Sequence, residues 1–404
     1  MKTTQGMKIS ERGQALVLFT AAIIGLIALT GLAVDGGNAF ADRRSAQNAA
    51  DTAALASSLA KIRNNSDWKI VGKNRAADNG YDNNGTSNSV EIHACNEAAA
   101  TCSSPYNGAN ANEYIQVIIV SQVDTYLSQV VGIFQLTNRV QAIAHAKPPE
   151  TKSLYDGNAM VGLAPHDCST VVYQGNANAT LTGGGIFVNS DCATSAFFNH
   201  SGSAYLTSPW LSSVGGIQYV VGALNIPSEK IQNGFQPYPY PPEYLAPTYT
   251  CDHTWYGTFP PHGVTHVSPG VHCLNGNFVI QANDVLTGTG VTFVVQSGYV
   301  KWNGGDLLQL SAPTSGSTKG LLVYLPITNT SSVIFNGNAN WNISGTILAP
   351  GSDITVNGTQ DGTAMNSQLI GYTVKLSGNG NTSINYNAAD NWQGTFPPML
   401  EMIK

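Results

Sequence analysis

Cys251, Asp252, His253, His262, His266, His272 and Cys273 crowd imidazoles and thiols into one short stretch. Zn2+ takes four such donors in a tetrahedral set. The stretch contains no compact Cys-x-x-Cys framework, and a compartment that oxidises thiols would remove both thiolates. It therefore reads as a disulfide-closed loop carrying surface histidines, with no metal and no cofactor expected. Glycoside hydrolysis needs two carboxylates facing each other across a groove, and Asp284, Asp306, Asp353, Asp361 and Asp390 are available for it. None stands in a recognisable signature, and Asp in Asn/Gly-rich turns has a cheaper explanation, because its side chain bonds to nearby backbone. No catalytic residue is expected, and the chain is not read as an enzyme. Hard oxygen donors in these turns would suit calcium, but the dense Asp spacing of a calcium roll is missing. A third chemistry is sugar stacking, with Trp255 and Trp392 as the candidate ligand-stacking aromatics. The competing role for those rings is to cap or fill a core.

The elements that must position these groups lie on one side of an apolar run. Gln14 to Val34 is 21 residues without a charge, long enough at ~1.5 Å per residue to cross a hydrocarbon core of ~30 Å. Lys2, Lys8 and Arg12 precede it, which under the positive-inside rule puts the N-terminus in the cytoplasm. Ala39-Phe40-Ala41 offers a signal-peptidase-like cut, but the apolar run exceeds the ~7–15 residues of a signal core. A retained single-pass membrane helix is the expectation. All six cysteines follow it, as an oxidising compartment predicts. Six cysteines allow 15 pairings. Their clustering favours Cys95–Cys102, Cys168–Cys192 and Cys251–Cys273.

Charge divides the exported part. Residues 1–154 carry 13 Lys+Arg against 12 Asp+Glu, and residues 155–404 carry 5 against 12. An acidic outer part repels phosphate backbones, so nucleic acid is not an expected partner. The expected order is a cytoplasmic tail at 1–13, the transmembrane helix at 14–35 and an alanine-rich helical stalk at 36–63. A small α/β domain at 64–147 and a linker at 148–154 lead to a Gly/Asn-rich β domain at 155–404. In the stalk, Ala46, Ala49, Ala50, Ala53, Ala54, Ser57 and Ala60 recur at spacings of three and four, a stripe that lets another element approach closely. Ser66 is positioned to cap a second helix running from Asp67 to about Asn79. Strands are expected at Ser89–His93, Tyr114–Val123 and Arg139–Ala146, with a short apolar helix at Tyr126–Phe134.

Beyond residue 155, short β-branched runs alternate with Gly/Asn turns, as in GVTFVVQSG (290–298) and GLLVYLP (320–326). Glycines 276, 337 and 378, each beside asparagine, suggest three and then two turns of a ~20-residue coil. The fold class expected is a right-handed parallel β-helix with asparagines laddered along its axis; the alternative is a β-sandwich. Two heptapeptides, WYGTFPP (255–261) and WQGTFPP (392–398), differ at one position and read as equivalent capping loops. Pro237-Tyr238-Pro239-Tyr240-Pro241-Pro242 reads as a stiff extended segment that wraps a surface or links units.

One further pattern spans the apolar run and its flanks. RGQALVLF (12–19) followed by GLAVDGGNAFADRRSAQNAADTAALA (31–56) resembles the N-terminal region of TadE/TadG-like proteins of the tight-adherence (Flp) pilus assembly system. The match rests on Arg12-Gly13, Val34-Asp35, Arg43-Arg44 and Gln47-Asn48-Ala49-Ala50-Asp51. The resemblance implies a bacterial envelope protein with a pilus-associated or surface role. The expected partners are the lipid bilayer, from the apolar run, surface glycans, from the aromatics Trp255 and Trp392, and, as the resemblance implies, pilus or envelope proteins of a Tad-like system. Members cut by a prepilin peptidase carry glutamate five residues after the cleavage glycine. Here that position is Leu18, which implies an uncleaved accessory protein that stays in the membrane.

Overall fold

A computed structural model describes residues 11–403 apart from 201–203, 305, 338–340 and 359–362, with backbone only at 11–14, 131 and 363. Most of the basic N-terminal tail and Asp361 lie outside the described residues. The chain forms two compact units, Met1–Pro149 with Pro397–Lys404, and Glu150–Phe396.

The first unit is built on one continuous helix, α1 (Glu11–Ile62). Its apolar segment is mostly exposed. This helix is long and apolar enough to cross a membrane. Beyond it, every residue of the small-residue stripe is buried, so the expected stalk is the inner helix of a packed domain. It lies on an antiparallel sheet of β1 (Asn88–Ala94), β2 (Tyr114–Asp124) and β3 (Gln135–Lys147), with α2 (Trp68–Asp78) alongside. Short side chains are what permit this approach. A Cβ built on Gly72 of α2 would stand 1.9 Å from the Ser57 hydroxyl and 2.6 Å from the Ile92 side chain. The N-cap of α2 is Asp67, not Ser66, and its N–H is held by the Asn65 side chain at 2.8 Å.

Two further expectations fail in this unit. Tyr126–Phe134 is a loop holding only a 3-10 turn at Ser128–Val131, which Gly132, at a left-handed φ of 86°, ends after one turn. The chain's last residues also leave the β-rich part: strand Met399–Met402 pairs antiparallel with β3, Lys147 opposite Met399. His145 secures the joint, stacked on Tyr114 at 4.5 Å and bonded to Glu113 at 3.0 Å and Glu401 at 3.2 Å.

The second unit is a parallel β-helix, one face of which runs ten strands deep. Asparagines ladder along it as expected. Asn336 donates to Asn303 and Asn357 to Asn336, each at 2.7 Å, and Ser377 donates to Asn357; these rungs are separated by 33, 21 and 20 residues. Gly337 and Gly378 follow rungs of this ladder. Gly276 instead sits at another corner, against Gly257 and Gly298, so its distance from Gly337 does not count coils. Inside, Phe259, Phe278, Trp302 and Phe335 form an aromatic column along the axis, with the last three centroids 5.1 and 4.7 Å apart.

The coils do not stack in chain order. Strands 160–162, 186–188, 211–213 and 231–232 run from the middle to one end, and strands 253–256, 270–275, 291–297, 321–324, 346–349 and 369–371 run from the other end back to the middle. At the seam Leu369 pairs with Met160 and Thr382 with Ala179. Side chains there meet across 203 residues, as in Asn176–Asn379 at 3.0 Å and Thr182–Asn385 at 2.7 Å. Residues 233–252 must therefore return along the outside. Nine coil steps of ~4.8 Å span about 43 Å, and twenty extended residues reach about 60 Å.

This returning strap is the Pro/Tyr segment. Tyr238 packs on Phe187 at 4.9 Å, Tyr240 on Tyr372 at 5.5 Å, Tyr244 on Trp392 at 5.7 Å and Tyr249 on Tyr324 at 6.3 Å, before Cys251 bonds Cys273. Those partners step down the solenoid coil by coil. The sheet beneath is apolar on its outer face too, at Val161, Ile370, Leu348 and Val294. Prolines suit a cover strand, since polyproline geometry needs no ladder donors. The expected linker likewise carries a strand, Glu150–Ser153, paired antiparallel with Gln393–Phe396.

Candidate functional site

The TadE/TadG-resembling residues occupy two faces of α1. On the inner face, the buried Asp35 carboxylate accepts three backbone N–H bonds from the β2–β3 loop: Tyr126 at 2.8 Å, Leu127 at 3.1 Å and Ser128 at 2.7 Å. Two turns on, Asp42 accepts from Tyr81 at 3.0 Å, Asn138 at 2.7 Å and Ser121 at 2.5 Å. Desolvation, reinforced by that bond to Asp42, raises the Tyr81 phenol above its ordinary range. Gln47 donates to Asp51 at 2.7 Å and to the Gln141 carbonyl of β3 at 3.1 Å. Asp35, Asp42 and Gln47 thus fasten the helix to the sheet and its loop, while the alanines let it come close.

The outer face is different. Arg43, Arg44 and Asn48 are exposed, and Phe40 is 72% exposed. Arg12 and Gly13 lie in the first helical turns. Asp42 was missed by sequence reasoning although its spacing of seven from Asp35 and four from Ala46 marks it as part of the inner face.

The other sequence candidates are dispersed into structural roles. All six cysteines pair as expected, Cys95–Cys102, Cys168–Cys192 and Cys251–Cys273. The bond at Cys251–Cys273 consumes the thiols of the histidine stretch. His272 is buried, takes the Trp255 indole N–H at 3.2 Å and bonds the Ser268 carbonyl at 2.8 Å, and burial lowers its pKa. His253 stacks on it at 4.9 Å, while His266 reaches Thr287 at 3.0 Å. Asp284 closes a turn onto the Gln281 N–H at 2.7 Å, Asp353 accepts from Thr373 at 2.6 Å and Asp390 from Asn387 at 2.8 Å.

The two heptapeptides are not equivalent. Trp255 belongs to the terminal coil, where Phe259 plugs the lumen at 1% exposure. Trp392 is 5% exposed under Tyr244, so it offers no face for a sugar. The identity of the two sequences is local; their neighbours decide burial.

The helix face now has its geometry. Residues 13–60 match the Flp pilus-assembly TadE/G-like family model. The TadE/G-like segment therefore covers the apolar run, Asp35, Asp42, the arginine pair and the alanine stripe, and ends two residues before α1 does. No curated protein matches the chain. The crystal structure of the competence-associated pilin ComZ from Thermus thermophilus aligns over 74% of this chain and 81% of that chain, at a TM-score of 0.30 and 11% identity. A likeness at that score carries no functional weight.

Proposed function

We propose that this chain is a membrane-anchored envelope protein of a Tad-type (Flp) pilus system, with its N-terminus in the cytoplasm and both packed units outside. The observation that carries this reading is the TadE/G-like match over residues 13–60, coincident with the apolar run of α1 and the polar residues that fasten it to the sheet. Three disulfides support an oxidising location for everything after the helix. The role is structural: the helix anchors and docks on pilus or envelope partners through its outer face, and the solenoid is presented outside. The chain has no catalytic task in this reading, and Leu18 leaves it uncleaved at Gly13.

Deletion of the coding sequence in its host, complemented by wild type or by Arg43→Glu/Arg44→Glu, tests the role by counting surface pili and mapping cross-links to pilus components. Loss of pili and of cross-links in the charge-reversed strain, at unchanged protein level, is expected. Wild-type piliation in the deletion strain refutes a part in assembly. Intact mass of the membrane-extracted protein checks processing, and a chain starting at Gln14 refutes the uncleaved form.

A further inference from the structure

The β2–β3 loop, Thr125–Phe134, contains no charged residue. It nevertheless exposes Tyr126 at 69%, Val130 at 80%, Ile133 at 46% and Phe134 at 64%. Its position explains this. A Cβ on Gly31 would lie 3.3 Å from that of Leu127, and Leu127 and Val130 share a recess with Ile24, Ile27 and Leu32 of the apolar run. At ~1.5 Å rise per residue, Gly31 stands about 6 Å and Ile27 about 12 Å inward of Asp35. If Gln14–Val34 spans hydrocarbon, the loop is at hydrocarbon level as well.

We propose that this loop is a second membrane-contacting element, its apolar side chains immersed in the outer leaflet beside the helix. The inference rests on the membrane-spanning reading of α1. Two features fit lipid better than a protein partner. First, most of the loop's backbone N–H groups are satisfied within the protein, which lipid demands and water does not. Val130 N–H bonds the Leu127 carbonyl at 3.2 Å, Gly132 that of Gln129 at 3.0 Å and Ile133 that of Ser128 at 3.1 Å, and the N–H groups of Tyr126, Leu127 and Ser128 before them go to Asp35. Secondly, Tyr126 and Phe134 stand at the two ends of the loop, and tyrosine is enriched at membrane interfaces. Asp35 is then a positioning residue: it fixes the loop to the helix, so that two elements set the depth of the domain. Immersion of a few large apolar side chains to ~5–10 Å is the usual mode of interfacial anchoring.

The test uses the full-length, disulfide-intact protein, which has no free cysteine, so single thiols label cleanly. Leu26→Cys, Val130→Cys and Thr86→Cys carry a nitrobenzoxadiazole fluorophore in phosphatidylcholine nanodiscs. Doxyl-labelled phosphatidylcholine is expected to quench the label at 26 and 130 alike, and aqueous iodide to quench both several-fold less than at 86. Iodide access at 130 equal to that at 86, with 26 still lipid-quenched, overturns the loop proposal and leaves the anchor. Iodide access at 26 overturns both. Protection of 130 from iodide and from doxyl lipid together means protein covers the loop, and also overturns it. Added to the Val130→Cys protein, Asp35→Ala is expected to reduce lipid quenching at 130; unchanged quenching overturns the positioning role.

Discussion

Replacing Trp392 by alanine is expected to destabilise the solenoid far more than the same change at Trp255, although the two lie in nearly identical heptapeptides. Trp392 is 5% exposed, its ring lies against Tyr244 of the strap, and its backbone N–H is held by Thr346 at 2.9 Å. Truncation there opens a cavity between strap and sheet midway along the axis, and Trp→Ala in such a site costs about 3–5 kcal/mol. For a unit of this size each kcal/mol shifts Tm by about 2–4 °C, giving a fall of roughly 6–20 °C. Trp255 is half-buried on the terminal coil, with one edge contact to Phe259 at 5.2 Å and one bond to His272. Its loss frays an end coil that has one neighbour, and repeat stability is a sum of nearest-neighbour terms. The assay is thermal unfolding by near-ultraviolet circular dichroism, with hydrogen exchange mapped by peptide. Equal Tm losses, or a global effect from Trp255→Ala with Trp392→Ala silent, would refute the strap-and-coil account.

Two other perturbations address separate parts. Gly72→Ala adds a methyl where α2 meets Ser57 and Ile92, and overpacking of this kind costs about 1–3 kcal/mol; a lower denaturation midpoint for the first unit, with the solenoid transition unmoved, is expected. The strap tyrosines and the tyrosines beneath them titrate late: burial pushes Tyr324 up to about 12 and raises Tyr155, Tyr238, Tyr240 and Tyr244 as well. Folded pKa values above the unfolded value mean that this stability is intact below about pH 10 and is lost as pH rises through the folded values. Absorbance at the phenolate band is expected to show a delayed class of tyrosines whose ionisation coincides with strap release; a single transition near the ordinary phenol range would refute their burial.

Much of this was legible in residues whose meaning is local. The alanine stripe and the neighbouring cysteines each announce a period or a short loop and lie where their spacing implies, whereas the Asn-Gly runs announced a ladder but not its full spacing, since Gly276 lies at another corner. The coil order was not legible. In a parallel β-helix every coil offers the next the same ladder of donors and acceptors, so nothing in strand 369–371 says that its partner is 160–162. The strap's route follows only from that order. The C-terminal MLEM is too short and too mixed to signal a strand, and it gains its place from β3. The Tyr126–Phe134 stretch misled in another way, since an apolar run without tertiary packing reads as helix until its neighbour, the apolar face of α1, is known. In the candidate site, Asp35 stands at the end of the expected transmembrane helix at 14–35, with no partner in the local sequence. Its three N–H donors come from a loop more than ninety residues away, and no local pattern encodes such a partner.

The chain route also explains the two proline pairs. The ladder between β3 and Met399–Met402 ends at Lys147 and Met399, and the ladder between Glu150–Ser153 and Gln393–Phe396 begins at Glu150 and Phe396. What separates them is Pro148-Pro149 on one strand and Pro397-Pro398 on the other. Proline has no N–H to give a ladder and its ring restricts the residue before it, so neither pairing extends across the junction. The solenoid is thus an insertion carried on two adjacent strands of the first unit's sheet. Antiparallel pairing, with His145 held by both Glu113 and Glu401, ties those two strands of the first unit together. Entered at Glu150 and left at Phe396, the solenoid is joined to the first unit by two chain crossings where a terminal fusion would supply one.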